Sequence, residues 1–219
     1  MLHDATARYD PSIFSVDTLA QAKRIILTPE IGRSTDERWA RETPHICDLI
    51  TNQMVINGDS IIVDYGCGVG RIARELIRRH KCHVIGVDIS ASMRALAASY
   101  VNSERFMACS PAMLPAIGAR ADVVIAIWVL QHVALPRTDL AMIEGIMKPG
   151  AWLFVVNEQN YRCVPSNQGW INDGIDIRGI LEKAFIPVAD GKMSKDVVGM
   201  QCERTFWAAY SNGKREWLV

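Results

Sequence analysis

The chain has 219 residues and a formal charge of zero, with 24 Lys+Arg against 24 Asp+Glu, so it carries no general positive field for a nucleic-acid backbone. At 49% hydrophobic and 22% charged residues it suits one globular α/β domain with a full core and excludes a disordered chain. Six scattered cysteines without a C-x-x-C pair read as reduced thiols. No apolar run approaches the ~20 residues of a membrane span, and the expected compartment is cytoplasmic.

In chain order, Val16, Leu19, Ala20, Ile26 and Leu27 form a helical stripe that Pro29 and Gly32 interrupt. Thr35-Asp36-Glu37 has a helix start's hydroxyl and acids, and Thr43-Pro44 reads as a second start. Ile46, Leu49, Ile50 and Met54 then continue a helix toward Asn57-Gly58. From Ile61 the alternation is regular. Strands are expected at 61–63, 82–87, 105–108, 122–127 and 152–156, and helices begin near Val69, Met93 and Pro136. MKPG (147–150) reads as the stop of the third of these helices. A polar stretch follows Val156, then a helix through Ile177, Ile180, Leu181 and Ala184, and two further strands near 185–189 and 204–210. Such alternation implies a parallel sheet with helices on both faces.

The sharpest signal is VDYGCGVGR, residues 63–71. A β-branched run precedes it, and Val69, Ile72, Ala73, Leu76 and Ile77 follow as an amphipathic helix. Gly66, Gly68 and Gly70 permit a sharp turn and close approach of a ligand to backbone N–H groups at the helix N-terminus. The spacing is D-x-G-x-G-x-G, not the G-x-G-x-x-G of a dinucleotide site. In this it resembles the class I, Rossmann-like, S-adenosylmethionine (AdoMet)-dependent methyltransferases, and within them the small-molecule branch. The resemblance runs from the first strand to the end of the chain. It implies a three-layer α/β sandwich with a seven-stranded, mostly parallel sheet whose last strand is antiparallel. A helical cap (1–58) would precede an AdoMet-binding core (59–219).

The resemblance also implies roles. The Gly66–Cys67–Gly68–Gly70 turn would hold the amino-acid half of AdoMet, with Asp64 contacting its amino group. Asp88, ending the second strand, would accept both ribose hydroxyls; a helix-capping role is its alternative. Ile89 would lie against adenine. Where many members carry an Asp four residues before Leu-Pro, this chain has Ser110, leaving its hydroxyl and the backbone of Ala112 and Met113 to bond adenine.

After the fourth strand comes IWVLQHV (127–133). Trp128 would line the sulfonium site with its π-face, and Gln131 would wall the acceptor pocket. His132 has the unperturbed pKa of a base for an acceptor that must lose a proton, or else it bonds a loop carbonyl and only shapes the pocket. Asn157 and Tyr161, with Trp170, fall in the polar stretch that suits an acceptor-binding lid, or a plain surface loop. HKCH (80–83) sits at a helix-to-strand turn where its side chains diverge, so no metal is expected. The expected activity is methyl transfer from AdoMet to O or N of a small molecule by a monomer or homodimer, without nucleic acid or membrane. A non-catalytic AdoMet-fold partner and, behind it, an NAD(P) oxidoreductase are the alternatives.

Overall fold

The computed structural model describes residues 7–28, 33–158 and 162–213. After a short 3-10 turn at Pro11–Phe14, α1 spans Leu19–Ile26 and opens with a capping box in which Thr18 and Gln21 satisfy each other's backbone N–H groups. Helix α2 spans Thr35–Gln53 with the same device, Ser34 and Glu37, so the cap falls one residue before the expected Thr35. The break expected at Thr43-Pro44 does not occur, and Pro44 lies inside α2. Proline removes one N–H from the ladder there. The helix continues because Arg38, Glu42, Ile46, Cys47 and Ile50 form one buried face across the break.

The core then alternates: β1 (Ile61–Tyr65), α3 (Arg71–His80), β2 (His83–Val87), α4 (Ala91–Val101), β3 (Phe106–Cys109), α5 (Leu114–Ile117), β4 (Ala121–Ile127), α6 (Pro136–Ile146) and β5 (Met147–Glu158). MKPG, expected to end α6, opens β5 instead. Met147 pairs with Ala121, and a register shift carries Pro149 and Gly150 past the ladder before Trp152 pairs with Val123. The polar stretch expected as a loop contains a hairpin, β6 (Cys163–Ser166) with β7 (Gly169–Asn172). Helix α7 (Ile177–Ala184), β8 (Ile186–Lys192), α8 (Lys195–Val198) and β9 (Thr205–Ser211) complete the described chain.

Among the described residues the main sheet has seven strands in the order β3-β2-β1-β4-β5-β9-β8. The last strand, β9, runs antiparallel to both neighbours, and the other main-sheet pairings are parallel. Helices α5, α6 and α7 bury Leu114, Leu140, Ile143, Ile177 and Leu181 on one face of the sheet. Helices α2, α3 and α8 bury Ile46, Ile50, Ile72, Leu76 and Val198 on the other. This is the three-layer α/β architecture expected from the sequence. Strand β1 sits between β2 and β4, where the chain order reverses, and in such sheets ligands bind beyond the carboxyl ends of the strands at that point.

Pro44 is exposed and contributes no packing that an alanine would lose. Pro44→Ala should therefore restore one helical hydrogen bond and stabilise the protein by about 2–2.6 kcal/mol, the ~3 kcal/mol interior-proline penalty less the ~0.4–1 kcal/mol of entropy alanine returns to the unfolded chain. Urea denaturation of the two proteins measures it, with the midpoint expected to rise at constant slope.

Candidate active site

A cavity of about 630 Å³ opens where the carboxyl ends of β1, β2 and β4 meet. Its floor is the glycine turn. Gly66 and Cys67 N–H both donate to the Val87 carbonyl of β2 (2.7 and 3.0 Å), and Gly70, in the left-handed region, is the N-cap residue of α3. Gly68 has φ +53°, and a Cβ there would stand 2.6 Å from Ile26 Cδ1, so α1 rides directly on the turn. Gly66 and Gly68 line the cavity; Gly70 faces Val101 instead.

Two carboxylates flank this turn. Asp88 Oδ2 accepts the Gly68 N–H and Oδ1 the Ser90 N–H, each at 2.8 Å, at the cavity wall. Burial raises its pKa against those two N–H groups and Arg94. The helix-capping alternative is met by Ser90, whose hydroxyl accepts the Met93 N–H at the start of α4. Asp64 is buried beneath the turn, and its Oδ2 has no hydrogen-bond partner. Burial pushes its pKa up to about 7, with Arg71 pulling down and Asp88 adding to the rise. A buried carboxylate oxygen without a donor asks for one from a ligand. The ammonium of AdoMet would be such a donor, though Asp64 lies behind the turn and not on the cavity wall; Asp88 borders the space for a ribose, and Ile89 is half exposed beside it. These residues fit AdoMet.

The opposite side of the cavity is aromatic. The His132 ring lies 6.2 Å from Phe14 and 5.0 Å from Trp170, which are 6.4 Å apart. His132 Nδ1 is 2.6 Å from the Cys163 carbonyl, which can only accept, so Nδ1 carries the proton and Nε2 the lone pair in the neutral ring. The Gln131 amide nitrogen donates to that Nε2 at 3.1 Å. Arg162 pins the loop before α6 by donating to the Val133 and Ala134 carbonyls while pairing with Asp173. Trp128, at the end of β4, has φ +59°, a costly conformation for a bulky residue that the cavity wall imposes. Its indole N–H is buried without a partner, so the ring packs into the strand face rather than presenting N–H to the cavity.

Of the residues singled out in the sequence, Gly66, Gly68, Asp88, Ile89, Trp128, Gln131 and His132 line one cavity. The rest do not. The Cys67 side chain packs against Gly86 of β2, inside the protein. Ala112 and the 60%-exposed Met113 point to solvent, and Ser110 stands off the wall; of that loop Pro111 contributes. Asn157 is fully buried and serves as a strut whose Oδ1 accepts the Gln131 N–H at 3.1 Å. Tyr161 lies outside the described residues. The sequence reading missed Tyr65 and Asp139, whose side chains are hydrogen-bonded to each other on the cavity wall, and Tyr9 and Phe14 from the segment before α1. Tyr65, inside D-x-G, had a signal. Asp139, an acid in the first turn of α6, had none.

A mostly parallel seven-stranded sheet with a glycine turn, two carboxylates and a cavity at its switch point defines a class I methyltransferase fold. Residues 63–155 match the family described as Methyltransferase domain. An uncharacterized methyltransferase of Mycobacterium tuberculosis is 32% identical over 123 residues, 55% of this chain and 61% of that protein. The O-methyltransferase rstn1 of Aspergillus nomiae is 30% identical over 102 residues, 44% of this chain and 45% of that one. The chain thus matches roughly half of the length of these curated relatives. Geranyl diphosphate C-methyltransferase from Streptomyces coelicolor, solved with S-adenosyl-L-homocysteine (AdoHcy), superposes with a TM-score of 0.60 at 12% identity, covering 77% of this chain and 76% of that one. Among the described residues no helix is long and apolar enough to cross a membrane.

Because its folded-state pKa is near 7, Asp64 holds a proton in the ligand-free protein that the unfolded chain releases near ~4. That contribution is complete below ~4 and is lost as pH rises through about 7. Thermal unfolding at pH 5 and pH 8 should show a larger fall for wild type than for Asp64→Asn. AdoHcy, whose ammonium favours the ionised carboxylate, should bind wild type more tightly as pH rises through the same range and the variant at a nearly constant affinity. Equal slopes in the two proteins would remove Asp64 from the ligand site.

Proposed function

We propose that this chain is an AdoMet-dependent methyltransferase that moves a methyl group to O or N of a small-molecule acceptor. The observation that carries the reading is one cavity with the glycine turn and Asp88 on one side and His132, between Phe14 and Trp170, on the other. AdoMet supplies a methyl group already activated on sulfonium, so alignment is the enzyme's main task. The glycine turn and the Asp64 and Asp88 carboxylates hold the cofactor's amino-acid and ribose parts. The aromatic side chains exclude water and present a flat, apolar acceptor. The O-methyltransferase named among the relatives supports an oxygen or similarly protic acceptor.

An acceptor hydroxyl or amine must lose its proton as the new bond forms. His132 is the base: with Nδ1–H held by the Cys163 carbonyl, Nε2 presents its lone pair, and the acceptor takes the place of the Gln131 amide there. The neutral composition and the mostly apolar cavity favour a small metabolite over nucleic acid, with the protein acting as a monomer or homodimer.

His132→Ala should lower kcat by the ~10²–10⁴-fold typical of a positioned base, with AdoMet affinity little changed. The wild-type rate should rise with pH through an imidazole ionisation, and the variant should lose that limb. Initial rates against pH, with acceptors found by screening AdoHcy release over small-molecule pools, measure this. A raised acceptor KM with an unchanged pH profile would leave His132 a wall rather than a base.

A further inference from the structure

The loop after β3 reaches the cavity wall only through Pro111. Ala112 and Met113 face solvent, Ser110 stands off the wall, and Pro111 offers no side-chain donor or acceptor. The adenine 6-amino group therefore needs an acceptor from elsewhere. Asp88 already accepts two backbone N–H groups, and its remaining lone pairs are the ones the ribose hydroxyls would take. The other carboxylate on the wall is Asp139, in the first turn of α6.

Asp139 is tied to the cofactor motif. The Tyr65 hydroxyl, between Asp64 and Gly66, donates to Asp139 Oδ1, and among the described residues no other side chain or backbone N–H is bonded to Oδ2. Tyr9 lines the same cavity as Asp139 and Asp88, and both charges raise the pKa of its phenol after burial does. Ile89 and Pro111, the apolar surfaces for a planar ring, line the same space. The Asp139 carboxylate is half buried, and burial raises its pKa against the Tyr65 hydroxyl and its own backbone N–H.

We propose that Asp139, oriented by Tyr65, accepts the adenine 6-amino group of the cofactor and so supplies from α6 the base recognition that the loop after β3 does not. This rests on the AdoMet reading above and adds a specificity residue to it. A charge-assisted hydrogen bond discriminates strongly between adenine and a base that lacks the amino donor.

The test compares AdoHcy with S-inosyl-L-homocysteine, which carries a carbonyl in place of the 6-amino group, by calorimetry at pH 8. Wild type should prefer AdoHcy by about 10- to 100-fold, the range for a hydrogen bond to a charged group. In Asp139→Asn, whose amide can also donate to the inosine carbonyl, the ratio should fall below about threefold. A ratio of two affinities in one preparation does not depend on the folded fraction. If D139N does not fold, Tyr65→Phe carries the test, with the ratio expected to fall at least about threefold. A wild-type ratio near one, or variants that keep the wild-type ratio, overturns the proposal while leaving the cofactor reading intact. Failure of wild type to bind AdoHcy overturns both.

Discussion

Parallel pairing of β1 with β2 on one side and β4 on the other is the constraint from which the site follows. It sets Tyr65 beside Val87 and Asp64 beside Ile125, so three strands end at one level. The turn after β1 then has no room to wander: two of its N–H groups are taken by the Val87 carbonyl, and a third by the side chain that follows Val87, Asp88. Left-handed backbone at Gly66, Gly68 and Gly70 is the consequence, because only such a path returns the chain into α3 while keeping those bonds. This half of the cavity is thus built on the strand ends and the turn they hold.

Charge burial on the α2 side has a different logic. Arg38 and Glu42 are both buried and meet at 2.7 Å one helical turn apart. The remaining Arg38 bonds run to the Thr28 carbonyl at 2.5 Å and to Gln201 at 3.1 Å. A pair this deep gains little net stability over an apolar pair, since desolvation offsets attraction. Its effect is geometric. One guanidinium ties the end of α1, the middle of α2 and the 3-10 turn before β9, and so fixes the segment that covers Gly68. Removing either partner would strand the other charge in the interior, which is costly.

What the sequence made legible and what it hid divide along the same line. The glycine turn and the strand-helix alternation are local patterns whose physical causes lie within a few residues of each other, and the architecture they imply is the one found. Pro44 misled because its penalty is local while the buried stripe that outweighs it spans five positions of α2. MKPG misled because a bulge, visible only against β4, absorbs the proline and glycine. Asn157 and His132 were both picked as polar residues near the site. One is a buried strut and the other lines the cavity, and nothing in residue type separates them, since burial there depends on where the Gln131 amide needs a partner. Asp139 was hidden for the converse reason. A first-turn acid is explained by the helix dipole alone, and its pairing with Tyr65 bridges 74 residues.

The acceptor half is assembled from parts that are not strand ends: the turn before α1, the loop before α6 and the β6–β7 hairpin. Their cohesion comes from a few specific bonds. Asp10 N–H donates to the Pro165 carbonyl at 3.1 Å, tying the N-terminal turn to the hairpin. Arg162 holds the loop before α6 through two carbonyls. The next residue, Cys163, supplies the carbonyl that fixes the His132 tautomer. The hairpin therefore does two things at once: it carries Trp170 to the acceptor wall and decides which imidazole nitrogen holds the lone pair. If His132 is the base proposed above, a change made in this hairpin touches its protonation as well as the shape of the cavity wall, because both depend on one carbonyl oxygen.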